Sequence, residues 1–575
     1  MTTSLVDTEI VLGFDIGAVN TRAILFDVVE GQYCFLAAGM APSTVEEPYF
    51  DPSEGMTRAA REVQDVTGHN LLDAEGRLIL PSQPDGSGAD RMVITFSAGM
   101  PVRIVVAGLL ADVSLESAQR LATSTYSQVI ESIGLNDRRR PEAQLDAVLK
   151  ASPDLVLFAG GTEGGASRSV GRLVDLLTLV CRVLPQDKRP EIIYAGNQSL
   201  AGKVKEALER YSSLHTVSNI RPSFDLEDLG PAEGAVAQAV SRIRQRQLPG
   251  LASIATLSTV APLPTAYAAG RVIRFLSKVY DPTKGVLGVD LGANNTVIAG
   301  GLAGSLDLSV SPFGMGQGAT AVLEGGSLQD VIQWMPVHVP EDVVREYLWQ
   351  KTLNPASVPT TQDALAIEQA LARQALRRAM AQFQERYPDH PMLFNLIVAS
   401  GAAISRAATP MQSMLMLMDG LQPAGITNLV LDQNGLTPAL GAIAEFSPLL
   451  PIQVLDSGAF MRLATVIAPL SEARYGTPIL EARVKHENGN EDRLLVTKGS
   501  LVALQLQQGQ MALVQLKALH GTVIDPRSPK KSIQYKVIGG VCGAVIDGRG
   551  RPVALPGDTA RRRDMLKKWA MAVGG

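Results

Sequence analysis

The sequence predicts an α/β protein built from two similar halves and closed by a short all-β segment. Three observations predict it. The stretch VLGFDIGAVNT (Val11–Thr21) returns 275 residues downstream as VLGVDLGANNT (Val286–Thr296), identical at eight of eleven positions. After each copy, short apolar runs alternate with stretches of helical periodicity, the grammar of α/β domains. Beyond about Leu480 only short strand signals remain, separated by turn residues.

A chain of 575 residues exceeds what one hydrophobic core organises and implies two to four domains. Hydrophobic content of 46% with 19% charged residues fits a globular protein rather than a disordered one. The net charge of −5 gives no global basic field, so nucleic acid is not an expected partner. Local basic clusters at Arg138–Arg140 and Arg561–Arg563 read as solvated faces. Three distant cysteines (Cys34, Cys181, Cys542) argue against a disulfide framework, and the scattered histidines form no metal spacing. The start MTTSLVDTEI has no basic residue before an apolar run, so no signal peptide is expected. The uncharged stretch Gln247–Gly270 holds three prolines and reads as buried or interdomain rather than as a membrane span. A cytoplasmic location is expected.

The elements follow in order. Ile10–Phe14 and Thr21–Val29 read as a hairpin, and Met92–Phe96 and Val102–Leu110 as strands. Ala118, Ala122, Tyr126, Val129 and Ile133 share one helical face, predicting a helix that Gly134 stops. Asp154–Ala159 is a buried strand ending in GGTEGG, Ser169–Leu184 a helix, and Ile192–Ala195 a strand ending in Gly-Asn. The second copy opens with a hairpin from Val286–Asp290 and Thr296–Ala299. Helices follow at Glu341–Trp349 and Gln362–Arg386, then a strand at Leu393–Ala399 running into SGAAIS. Strands at Gly499–Leu506, Met511–Leu519, Ile533–Ile538 and Val541–Ile546 make the tail a small all-β domain. The expected boundaries are 1–265, 284–480, 481–560 and a basic C-terminal helix over 561–575.

The duplicated segment points to phosphate chemistry. An Asp at a strand end faces Mg²⁺ through water, because Mg²⁺ gives up its hydration shell reluctantly. A Gly two residues on lets the backbone approach a phosphate and present N–H donors. Asn and Thr add neutral donors. Asp15 and Asp290 are therefore the candidate metal-facing residues. Gly17, Ala18, Asn20 and Thr21, with Gly292, Ala293, Asn294, Asn295 and Thr296, are the candidate phosphate binders. A lone D-x-G after a strand is an ordinary turn. Two copies with the same flanks point instead to a two-sided phosphate clamp, the arrangement that phosphoryl chemistry rewards.

This pattern resembles the actin, sugar-kinase and heat-shock-chaperone ATPase superfamily. Phe14–Gly17 is similar to its first phosphate motif, Val289–Gly292 to its second, and Leu440–Ala444 to its second connecting helix. Ala399–Ala403 sits where its adenosine motif stands, which implies adenosine binding by Ser400, Gly401 and Ala402. The resemblance implies a two-domain actin-like (ribonuclease H-like) ATPase fold, with ATP and Mg²⁺ as cofactors. SGAAIS also reads as a plain strand-to-helix turn.

Within the superfamily, MVITFSAGMPVRIVVAGLLADVSLESAQRLA, PDLVLFAGGTEGG, IIYAGN and GMGQGA together are similar to the accessory protein of adenosylcobalamin-dependent glutamate mutase, the MutL family (not the mismatch-repair protein). The likeness covers about residues 10–460. It implies an ATP-driven switch that maintains or reactivates a cobalamin-dependent mutase. No Asp-x-His-x-x-Gly stretch occurs, so the chain is not itself expected to be the cobalamin-binding subunit. GGTEGG reads either as a tight connection or as a loop near nucleotide or partner, with Glu163 as a candidate for water positioning or the Mg²⁺ shell. Two other readings stand: a small-molecule kinase of the same superfamily, and a scaffold such as a filament former or pseudo-ATPase. Oligomeric state is not legible in the sequence.

Overall fold

The computed structural model describes residues 9–165, 167–324 and 326–574. The chain forms two compact units. The first takes residues 1–269, 308–310 and 438–448, and the second takes 270–307, 311–437 and 449–575.

The first unit opens with β1 (Val11–Ile16), β2 (Asn20–Val29), β3 (Gln32–Pro42), α1 (Ser53–Thr67) and β4 (Arg91–Phe96). A second sheet is then inserted. It runs β5 (Val102–Gly108), α2 (Glu116–Ala122), β6 (Ser127–Ile133), α3 (Pro141–Ala151), β7 (Leu155–Ala159), α4 (Ser167–Val183), β8 (Glu191–Tyr194), α5 (Ala201–Leu208) and β9 (Leu214–Thr216). The chain returns through α6 (Gly230–Gln247), α7 (Pro249–Ala255) and β10 (Leu263–Pro264) into α8 (Thr265–Val279). The first sheet has the order β10-β4-β1-β2-β3, with β1 antiparallel to β2 and parallel to β4. The inserted sheet has the order β6-β5-β7-β8-β9 and is all parallel, a doubly wound arrangement. Its inner strands β5, β7 and β8 are mostly buried because both faces are covered. Leu155–Ala159, for instance, is buried at every position.

One expected helix is different. The chain is helical only to Ala122, and Ser127–Ile133 is a strand beside β5. The residues explain it. Thr123, Ser124, Thr125, Ser127, Val129, Ile130 and Ile133 are β-branched or small polar, poor helix formers. Ser124 and Ser127 hydroxyls donate to Leu121 and Ala122 carbonyls, closing the helix there.

After α8 the second half of the chain repeats the first sheet. It runs β11 (Gly285–Leu291), β12 (Thr296–Leu302), β13 (Ser305–Ser311), α9 (Ala319–Glu324), α10 (Leu328–Ile332), α11 (Glu341–Leu353), α12 (Gln362–Arg386) and β14 (Phe394–Ser400). Then come α13 (Ala402–Ser405), α14 (Pro410–Leu421), β15 (Gly425–Leu431), α15 (Leu436–Ile443), α16 (Leu449–Asp456) and β16 (Met461–Ala468). The order β13-β12-β11-β14-β15 matches β3-β2-β1-β4-β10 strand for strand. The remaining elements are β17 (Pro478–His486), β18 (Glu491–Thr497), β19 (Leu501–Leu504), β20 (Met511–Ala518), β21 (Ser532–Ile538), β22 (Ala544–Asp547) and α17 (Thr559–Ala572). Strands β17, β18, β20 and β21 make a four-stranded antiparallel sheet, whereas β22 and β19 extend the large sheet beyond β16. One apolar core, including Ile467, Leu480, Val514, Val537 and Ile546, joins the two sheets.

Two helices pass between the units: α8 begins in the first and continues in the second, and α15 begins in the second and ends in the first. They explain the glycine of the repeated Val-Leu-Gly. A Cβ on Gly13 would lie 3.0 Å from Ala439 Cβ of α15, and a Cβ on Gly288 would lie 2.6 Å from Ile273 of α8. Each copy keeps glycine where a connecting helix crosses its first strand. At Gly441 a Cβ would stand 1.8 Å from the Ala268 carbonyl oxygen, so α15 and α8 meet there backbone to backbone. Among the described residues no helix is long and apolar enough to cross a membrane.

Candidate functional site

The two hairpin tips are alike in geometry as well as sequence. Gly17 N–H donates to the Asn20 carbonyl at 3.0 Å, and Gly292 N–H to the Asn295 carbonyl at 2.9 Å. A Cβ at Gly17 or Gly292 would approach those oxygens to 2.8 and 3.0 Å, so both turns exclude a side chain. Ala18 and Asn20, like Ala293, Asn294 and Asn295, are half-buried at the tips.

The two aspartates sit in matching registers. Asp15 pairs with Thr95 of the parallel neighbour β4, and Asp290 with Ser400 of β14. Thr95 Oγ1 donates to Asp15 Oδ1 at 2.8 Å, and Ser400 Oγ donates to Asp290 Oδ1 at 2.7 Å. Each carboxylate is thus oriented by a hydroxyl from the next strand, as outer partners orient metal-facing groups. Asp15 accepts a second hydroxyl, Thr265 Oγ1 at 2.7 Å, from the first residue of α8. Its Oδ2 faces Arg22 Nη1 at 3.8 Å, beyond hydrogen-bond reach. Asp15 is buried and Asp290 half-buried.

The threonines of the repeat turn inward. Thr296 is fully buried and its hydroxyl donates to the Phe313 carbonyl at 2.7 Å. Thr21 is also fully buried, with Gly55 of α1 beside its hydroxyl. What Thr21 and Thr296 offer to solvent is therefore not the hydroxyl. Ser400 likewise spends its hydroxyl on Asp290. Gly401 has φ +102° and a Cβ there would lie 2.2 Å from the Leu291 carbonyl oxygen, so the strand end of the adenosine-like motif requires glycine. Ala402 starts the short α13.

GMGQGA is a support for the second tip. Met315 N–H donates to Gly292 O, and Gly316 and Gly318 N–H donate to Ala293 O. Cβ atoms at Gly314 and Gly318 would fall 2.3 and 2.4 Å from the Ala293 and Asn294 oxygens. The glycines are there so that loop and tip touch through backbone. Glu163 lies elsewhere in the first unit, in the loop after β7. Its carboxylate accepts from Asn219 Nδ2 at 2.8 Å and from Gln198 N–H at 3.2 Å, tying three loops at the carboxyl ends of the inserted sheet.

Sequence reasoning missed Thr95, Thr265 and Arg22. The two hydroxyls become partners of Asp15 only through strand register and the chain's return after the insertion. Arg22 did carry a signal: it is the residue directly after the eleven-residue repeat, where the second copy has Val297. It lies opposite Asp15 as Val297 lies opposite Asp290.

No group of three or more acidic, histidine or cysteine side chains that could hold a metal occurs among the described residues. One carboxylate per tip beside backbone donors fits a hydrated Mg²⁺ carried in on phosphates, the way Mg²⁺ is commonly bound. Two sheets in one strand order, each with an Asp-x-Gly hairpin among its inner strands, define an actin-like ATPase fold. Residues 11–458 match the family model described as MutL protein. The chain belongs to this family, that of the glutamate mutase accessory proteins.

Among solved structures, the chain is similar to nucleotide-free acetone carboxylase, with 11% identity over 86% of this chain and 81% of that one at a TM-score of 0.30. It is similar to nucleotide-free diol dehydratase-reactivating factor, with 11% identity over 76% and 100% at a TM-score of 0.31. Xylulose kinase from Bifidobacterium adolescentis gives 11% identity over 77% and 93% at a TM-score of 0.28. No curated protein matches.

Proposed function

We propose that the protein is an ATP-dependent accessory protein that maintains or reactivates an adenosylcobalamin-dependent mutase. The observation that carries the nucleotide part is the repeated aspartate–hydroxyl pair, Asp15–Thr95 and Asp290–Ser400, in one register in both halves. Duplication alone would preserve sequence. Here it preserves a side-chain contact across two different strand pairs whose other residues have diverged. The mutase as client rests on family membership.

In this reading both tips serve one nucleotide. The backbone at Gly17, Ala18, Asn20, Gly292, Ala293, Asn294 and Asn295 binds phosphate oxygens, and Gly401 and Ala402 border the adenosine. Asp15 and Asp290 orient the water shell of Mg²⁺, which when bound neutralises phosphate charge. Arg22, 3.8 Å from Asp15, turns to a phosphate when nucleotide binds. Thr265 links the occupied tip to α8, and α8 and α15 carry the response between the units. ATP turnover thereby changes the surface offered to the client.

The test is steady-state ATP hydrolysis by wild type, Asp15→Asn, Asp290→Asn and the double variant, with thermal melts as a folding control. Each single change should slow hydrolysis about ten- to a hundredfold, the worth of one charge-assisted contact at roughly 1.5–3 kcal/mol. The double variant should lose less than the product of the two, because groups acting on one centre are not additive. Strictly multiplicative losses would show two independent sites. The client is tested by adding the protein, MgATP and fresh adenosylcobalamin to inactivated glutamate mutase. Recovery no faster than with cofactor alone defeats that part.

A further inference from the structure

Arg244, near the end of α6, is only 1% exposed. Its Nη1 donates to Gln247 Oε1 at 2.9 Å, while Nε and Nη2 have no hydrogen-bond partner among the described residues. A buried guanidinium with idle donors is costly, and proteins rarely keep one without a use. Burial pulls its pKa down to about 10, with the Asp154 carboxylate opposing. Asp154 is the facing anion, but its Oδ2 already accepts Arg103 N–H at 2.8 Å.

The guanidinium lies under Gly99. That residue has φ +94°, and a Cβ there would stand 2.4 Å from Arg244 Nη1 and 2.8 Å from Cζ. Gly99 belongs to the loop after β4, the strand that carries Thr95. In the same loop Ser97 and Ala98 both donate N–H to the Ile16 carbonyl, at 3.0 and 3.2 Å. Ile16 is the residue between Asp15 and Gly17. A fixed positive charge therefore backs the loop that grips the first hairpin tip, with two of its donors unpartnered among the described residues.

We propose that Arg244 is a positioning residue for nucleotide phosphate: it holds the 97–101 loop against the first tip and lends that tip a positive field that favours triphosphates over monophosphates. This rests on the nucleotide reading given above. A purely structural arginine would behave otherwise, since a methionine of similar length would fill its place with no idle donors and no buried charge.

The experiment uses the full chain and compares wild type, Arg244→Met and Arg244→Lys by calorimetry with MgATP and with AMP, alongside thermal melts. Arg244→Met should melt no lower than wild type, yet bind MgATP about tenfold more weakly while its AMP affinity stays within about twofold. Arg244→Lys should retain most of the MgATP affinity. Unchanged MgATP affinity in Arg244→Met overturns the proposal, and so does an equal loss for MgATP and AMP, which would mark loop disruption alone. If Arg244→Met does not fold, Gly99→Ala, whose methyl displaces the guanidinium, takes its place; its left-handed φ lowers the melting temperature, and the same change in MgATP affinity relative to AMP is expected. A wild type that binds neither nucleotide overturns the nucleotide reading and this proposal together. Tight wild-type binding with an indifferent Arg244 overturns this one alone.

Discussion

Asp419→Asn should unsettle the whole second unit. Asp419 lies in α14, 3% exposed, between two guanidiniums. Arg373 Nε of α12 donates to its Oδ2 at 2.7 Å, and Arg549 Nη1 to its Oδ1 at 2.6 Å. Arg549 in turn makes a two-pronged contact with Asp547, 2.9 Å on each side, and stacks 4.8 Å from the Trp569 ring of α17. Asn has the shape of Asp but carries no charge and points an NH₂ at one of two donors. Breaking a buried ion pair by removing one partner costs about 3–5 kcal/mol. With roughly 290 residues in the unit and about 2.1 cal/mol/K of unfolding entropy per residue, that is a fall of about 5–8 °C in its melting temperature. Differential scanning calorimetry reads it directly. The companion variant Arg373→Met/Asp419→Leu should sit closer to wild type than the single change, because Arg373 and Asp419 lose their charges together while Arg549 keeps Asp547. A single variant melting within a degree of wild type, or a double variant worse than the single, would refute the reasoning.

Two further outcomes are expected. Ending the chain after Leu480 removes β19 and β22 from the large sheet, exposes the edge of β16 and takes Arg549 from Asp419; the truncated protein should be insoluble or aggregate on size-exclusion chromatography. Burial alone would raise the Asp547 carboxyl, but the Arg549 and Arg551 guanidiniums overcome it and hold it well below the usual carboxylate range. Its stabilisation is therefore fully present above about pH 4, the unfolded value, and is lost as pH falls further. Asp547→Asn should melt lower than wild type at pH 7, and the gap should narrow below about pH 4; a gap that stays constant down to pH 2 would count against the pairing.

The repeated hairpins were legible because one short segment, Val-Leu-Gly-x-Asp-x-Gly, serves local needs that any copy must meet. The turn at Gly17 and Gly292 and the strand before it are set within a few residues. The helix Gln362–Arg386 was legible to the residue, because an Ala-rich run without Gly or Pro favours helix throughout; the Thr361 cap is seen only in the structure. The partners of Asp15 were not legible. Thr95 is 80 residues away and Thr265 is 250, and nothing local distinguishes them from other threonines. The strand Ser127–Ile133 was hidden by an accident of spacing, since Ala118, Ala122, Tyr126 and Val129 keep a helical step across a real boundary. Tertiary pairing with β5 overrides that period. Gly13 and Gly288 were visible as repeats, but their reason, a helix laid across each first strand, exists only in three dimensions.

The exchanged helices have a consequence for biosynthesis. The first unit includes residues 438–448, which a ribosome reaches long after residue 269. At about 5–20 residues per second the wait is on the order of ten to thirty seconds. Throughout it, the face of β1 at Gly13 lacks Ala439 and the rest of the segment that covers it. The second unit is incomplete for longer still, since β22 and α17 follow later again. Neither unit is finished in the nascent chain before the other is well advanced, so the two close late and together rather than folding in turn.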